Sequence, residues 1–247
     1  MSNSLEKFWK EFYQYAEEAS SSALPIIFRG VSDKDYDLIP SIARGTKSGT
    51  HLDINALENN LIAEFKRLSI PELKKIPSLD IEWLYLAQHY GLPTRLLDWS
   101  SNPMVGLFFA VCSNEEKDGA LYIAKHQVTD QYEFYDYKTA DITKEEKEIP
   151  IALMFSLQDQ GTVIFSRPKY TDQRYINQKS VFSCPKDPFK ALEIEHCTKL
   201  IINKEYKTKI RDMLKTMGIS YSYIYPGLAG IAKELNDYGL KVHRLFS

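Results

Sequence analysis

The stretch Met104–Val111, MVGLFFAV, is apolar on nearly every side of a helix, so it fits only the interior of a folded domain. Its start is sharply marked. Asn102 suits an N-cap, and Pro103 suits the first helical position, where its missing N–H costs nothing. A chain of 247 residues, 44% of them hydrophobic, is long enough to enclose such a helix in one large domain.

The flanking sequence supplies the other layers. Leu5, Phe8, Trp9, Phe12 and Ala16 recur at helical spacing and predict an amphipathic helix within residues 1–24. PIIFRG (25–30) reads as a short strand. Asp53 is placed to cap a helix carrying Leu57, Leu61, Phe65 and Leu68. Asp80 is placed to cap another, with Trp83, Leu84 and Ala87 inward and Gly91 and Pro93 as stops. GALYIAK (119–125), TVIFS (162–166), SVFS (180–183) and ALEIEHCTKLII (191–202) read as strands, and residues 126–148 as a surface excursion. Two further helices are predicted, 204–218 closed by Gly218 and 226–239 closed by Gly239. Strands and helices mix without strict alternation, which predicts an α+β fold with a mixed sheet core flanked by helices.

A formal charge of −2 gives no strong field for a nucleic-acid or membrane partner, so nucleic acid is disfavoured. Cys112, Cys184 and Cys197 lack disulfide-framework or zinc spacing and read as reduced thiols, with no metal expected. The charged N-terminus has no apolar h-region, and no apolar run would span a bilayer. These features predict a cytoplasmic protein.

Chemistry concentrates in QHYGLPTRLLDWSSNP, residues 88–103. A loop held on rigid elements is where function usually lies, which favours His89 and Arg95 as site residues. Asp98 and Trp99, next to the apolar helix, read as bracing residues. Arg29 ends a strand, where its guanidinium would either grip a diphosphate bidentately or form a structural pair.

FRG at Phe28–Gly30 and AQHYGLPTRLLDWSSNPMVGLFFA at Ala87–Ala110 resemble the hallmarks of the FRG domain family. RYINQKSVFS (174–183) and GISYSYIYPGLAGIAKEL (218–235) resemble its later segments, so the likeness spans roughly residues 25–235 and implies an FRG domain over 25–247. A partial resemblance to arginine-class mono-ADP-ribosyltransferases implies more. FRG, DWSSNPMVGLFFA and NQKS follow the order of that family's arginine, serine and glutamine motifs. The resemblance implies an ADP-ribosyltransferase-like scaffold with NAD or another nucleotide-like ligand in a cleft. Arg29, Gln88, Arg95, Ser100 and Ser101 would bind that ligand, with His89 and Gln178 catalytic, and a macromolecular acceptor would be unknown. Ser180 occupies the position of the family's catalytic glutamate; Glu193 and Glu195, alternating with Leu192 and Ile194, read as a solvated strand face, with one of them as a stand-in the alternative. The implied role is a toxin-like effector in bacterial or phage defence. The alternatives are a non-catalytic nucleotide-sensing module and a nucleic-acid-acting toxin.

Overall fold

The computed structural model describes residues 2–44, 54–125, 132–136, 163–185, 187–194 and 196–246. Seven strands form one sheet: β1 (Ile26–Val31), β2 (Leu97–Ser100), β3 (Gly119–Lys125), β4 (Tyr132–Asp136), β5 (Val163–Arg167), β6 (Ser180–Cys184) and β7 (Cys197–Ile202). Their order is β4-β5-β6-β2-β1-β3-β7, and every neighbouring pair is antiparallel except the parallel β4–β5 pair. Around it lie α1 (Ser2–Ser21), α2 (Ser41–Arg44), α3 (Ile54–Ser69), α4 (Asp80–His89), α5 (Pro103–Val111), α6 (Gln173–Gln178), α7 (Lys204–Thr216), α8 (Tyr221–Ile224) and α9 (Leu228–Phe246). The architecture is α+β, with a mixed sheet flanked by helices.

Strand alternation sends side chains to two faces. On one face Phe28, Leu121, Ile123 and Leu200 meet Phe12 of α1, Leu107 and Phe108 of α5, and Ile210 and Leu214 of α7. Further along that face, Phe182 of β6 packs with Trp83, Leu84 and Tyr85 of α4 and Tyr175 of α6. The other face carries Ile27, Leu97, Trp99 and Val181 under Leu38 and Leu192. The apolar Met104–Val111 stretch lies in α5, and Asn102 caps it by accepting from the Met104 N–H at 3.0 Å. It lies directly on β1. A Cβ at Gly30 would come 2.0 Å from the Gly106 carbonyl oxygen and 2.3 Å from the Ala110 nitrogen, so only glycine permits this approach. From α7 the buried Lys207 reaches back across the domain. Its ammonium donates to the carbonyls of Ser32, Ser113 and Asn114 at 2.6, 3.0 and 2.9 Å.

Several expected boundaries shift. Asp80 is the first residue of α4 and Leu79 its cap. The final helix runs from Leu228 through Gly239 to Phe246, and Gly239 keeps a helical backbone with no positive φ, so it does not act as a stop. Among the described residues of 191–202, the strand is confined to Cys197–Ile202. The segment 173–178, ahead of SVFS, is helical because Asp172 accepts from the Arg174 and Tyr175 N–H groups, and left-handed Lys179 ends the turn. Asp53, Glu195 and most of 126–148 lie outside the described residues, although Tyr132–Asp136 within that stretch is a strand. Among the described residues no helix is long and apolar enough to cross a membrane.

Candidate functional site

The centre of the site is β2, four residues long. Leu97 and Trp99 point into the core, where the Trp99 indole donates to Ser183 Oγ at 2.8 Å. Asp98 and Ser100 therefore point to the helix-covered face, opposite Phe182 and Ser180 of β6. Trp99 braces the wall, as its sequence neighbourhood suggests. Asp98 does not: it is exposed, unlike the other three residues of β2.

Gln88 orients that carboxylate. Its amide donates to Asp98 Oδ2 at 2.9 Å, while its carbonyl accepts from Thr94 Oγ1 at 2.6 Å. Thr94 Oγ1 in turn accepts from the Leu96 N–H at 3.1 Å, so the Gly91–Leu96 turn fixes Gln88. Gly91, at φ +88°, supplies the left-handed residue the turn needs.

His89, on the last turn of α4, lies 3.2 Å from Asp172 through Nε2, with its side chain 9% exposed. Its ring tilts against Tyr175 at a centroid distance of 4.6 Å. Burial, with help from the Arg174 charge, lowers the His89 pKa below its ordinary 6.5, against the pull of Asp172 and Asp98. The imidazole is thus neutral at pH 7. Asp172 Oδ2 faces Nε2 at 3.2 Å, so the carboxylate would stabilise the ring on protonation. Arg174 donates through Nη1 to the His89 carbonyl at 2.7 Å and lies 5.0 Å over the Tyr225 ring. Its Nε is buried without a hydrogen-bond partner. Asp98 is also close enough to raise the proton affinity of Tyr225, which burial raises first.

The remaining sequence-selected residues divide. Ser100 Oγ donates to the Gln178 carbonyl at 2.6 Å and accepts from the Asn102 N–H at 2.9 Å. The Ser101 N–H bonds the Lys179 carbonyl at 3.1 Å, and the Gln178 amide donates to Ile224 O at 3.0 Å. These contacts knit β2, α6 and α8 into one wall, bringing Ser100, Ser101 and Gln178 together. Arg95 does not reach it. Only 3% exposed, it pairs with Glu58 of α3 and donates to Asn55 Oδ1 at 2.6 Å, so the expected ligand-binding arginine is in a core ion pair.

Arg29 also departs from expectation. Phe28 is the register partner of Ser100, so Arg29 projects to the opposite sheet face, beside Tyr122. There its Nη1 donates at 2.5 Å to the Asp98 main-chain carbonyl, holding β1 to β2. Burial lowers its pKa, and nearby Asp98 opposes that. The FRG strand and the 88–101 segment therefore meet, but Arg29 and the Asp98 carboxylate act on different sides of the sheet.

Asp172, Arg174 and Tyr225 were not selected from the sequence. A capping signal was readable at Asp172, and Arg174 lay inside a quoted motif, but nothing local pairs either with His89. Among the described residues no group of three or more His, Cys, Asp or Glu side chains is arranged to hold a metal ion. The FRG domain family model matches residues 25–119. No curated protein and no solved structure matches the chain.

Proposed function

We propose, from the premise that this chain carries an FRG domain over residues 25–119, that it cleaves or transfers at the N-glycosidic bond of NAD or a related nucleotide. The observation that carries the reading is the exposed Asp98 carboxylate, oriented by Gln88, beside a neutral His89 whose proton affinity it influences. In NAD hydrolysis the C1′–N bond breaks and its electron pair leaves with nicotinamide. Water supplies the new C1′–O bond. Asp98 would stabilise the developing oxocarbenium charge, a role that Ser180 cannot fill. Neutral His89 would take the proton from water, with the Asp172 carboxylate 3.2 Å from Nε2 to stabilise the imidazolium that forms. Arg174 brings a cation for the diphosphate. Arg29, on the far side of β2, would contribute through the wall rather than the ligand. A toxin-like effector role in bacterial defence rests on the family resemblance alone.

A nucleotide sensor without turnover is the second reading, favoured by Ser180 at the glutamate position. Incubation of pure protein with NAD, followed by chromatography for free nicotinamide, separates the two. Asp98→Asn should reduce release on the order of 100-fold while changing stability by no more than about 0.5 kcal/mol, as befits an exposed side chain. Intact NAD bound without release would establish the sensor. Unchanged release in Asp98→Asn would refute the carboxylate assignment.

A further inference from the structure

Two cations from different helices meet one tyrosine beside the Asp98–His89 cluster. Asn177 and Gln178 of α6 donate to the Tyr223 and Ile224 carbonyls at 2.6 and 3.0 Å, which fixes α6 against α8. Tyr225, the residue after α8, thereby comes to lie with its ring centre 5.0 Å from the Arg174 guanidinium. Lys233, in the second turn of α9, brings its ammonium to 5.7 Å from the same centre and 4.8 Å from that of Tyr221. The two charges are therefore no further apart than the sum of their distances to Tyr225. The Asp98 charge reaches the Tyr225 hydroxyl as well, which places the pair at the edge of the site already described.

The neighbouring cations of α7 are neutralised: Lys215 pairs with Glu234 at 3.1 Å and Arg211 with Glu115 at 2.7 Å. Arg174 and Lys233 differ from them. Among the described residues no carboxylate lies within ion-pair distance of either, and both rest on tyrosine faces. A ring face attracts a cation without occupying its N–H groups. Arg174 commits Nη1 to the His89 carbonyl, and Lys233 keeps all three of its donors. One such cation suits a single phosphate. Two, this close and both without a counter-charge, suit two linked phosphates.

We propose that Arg174 and Lys233 together hold a diphosphate, Arg174 the phosphate nearer His89 and Lys233 the other, so that the site selects diphosphate-linked nucleotides over mononucleotides. This names a substrate class for the glycosidic reading, and rests on that reading only for the place of the sugar at Asp98.

The test is calorimetric titration of the full chain with ADP-ribose, which carries the diphosphate but no bond to nicotinamide, so binding is read without turnover. Lys233 is exposed, and its replacement leaves the fold intact. Lys199→Gln is the control: it removes an equal charge that also lies over a tyrosine, Tyr122 at 5.0 Å, but on the opposite sheet face. The expected result is saturable binding, weakened about tenfold or more in Lys233→Gln, as loss of a charged hydrogen bond implies. Binding should be largely restored in Lys233→Arg and unchanged in Lys199→Gln. Pyrophosphate should displace ADP-ribose from wild type at lower concentration than phosphate does, and lose that advantage in Lys233→Gln. No saturable binding at millimolar ADP-ribose, equal effects of Lys233→Gln and Lys199→Gln, or equal displacement by the two anions in wild type would each overturn the proposal. A protein that binds ADP-ribose through Lys233 yet releases no nicotinamide from NAD would lose the glycosidic reading and keep this one.

Discussion

Glu58→Ala tests whether Arg95 is scaffold or ligand group. The two side chains are 4% and 3% exposed. Glu58 accepts from the Arg95 main-chain N–H at 2.7 Å and from its Nε, so one carboxylate holds both the side chain and the turn that carries it. Truncation removes the Glu58 carboxylate from a buried ion pair, at a cost of about 3–5 kcal/mol. For a domain of this size each kcal/mol moves Tm by about 2–4 °C, giving a fall of roughly 6–20 °C. The double variant Glu58→Leu/Arg95→Met removes both charges and should recover most of that loss. Thermal denaturation followed by circular dichroism reads all three proteins. If Glu58→Ala melted within about 2 °C of wild type, a shift smaller than roughly 1 kcal/mol, the pair would not brace the fold. If Arg95→Met melted normally but lost nucleotide binding, Arg95 would return to the ligand.

Gly30→Ala should cost at least about 1–3 kcal/mol, because its methyl group would enter the α5 backbone; a urea denaturation midpoint equal to wild type would disprove the packing argument. His89, with a pKa depressed from 6.5 on folding, contributes stability that is fully present above pH 6.5 and lost as pH falls through the folded-state value. The difference in stability between pH 7 and pH 5 should therefore shrink in His89→Gln, and a histidine NMR titration should place His89 below 6.5. Nicotinamide release, if His89 is the base, should decline on the acid side of that same lowered value.

Local signals in the sequence were enough for elements whose causes are local. Asn102-Pro103 starts α5, GALYIAK is β3 residue for residue, and Gly218, at φ +87°, follows α7 as its stop. The candidate site was only partly legible. The 88–103 stretch did carry Gln88, His89 and Asp98, but their roles depend on where strands separated by long loops come to lie. Asp98 reads as buried from its neighbours in sequence, whereas strand alternation turns it away from Leu97 and Trp99 and leaves it exposed. Arg95 and Glu58 are 37 positions apart, and no periodicity connects them. Arg29 illustrates the same limit, since its face of the sheet is set by the Phe28–Ser100 register.

The strand order has a consequence for synthesis. The central strands β2, β1 and β3 come from the first half of the chain, while their outer neighbours β6 and β7 come from the second. Trp99 must wait for Ser183, 84 positions later. At ordinary translation speeds that interval is on the order of 4–17 s. Throughout it, β2 and β3 each carry an unpaired edge, rich in Leu, Ile and Trp, that can pair with another nascent chain. A ribosome-bound fragment ending near residue 125 should therefore bind chaperones or aggregate, and extension past Ile202 should relieve both, because only then can each inner strand acquire its second neighbour.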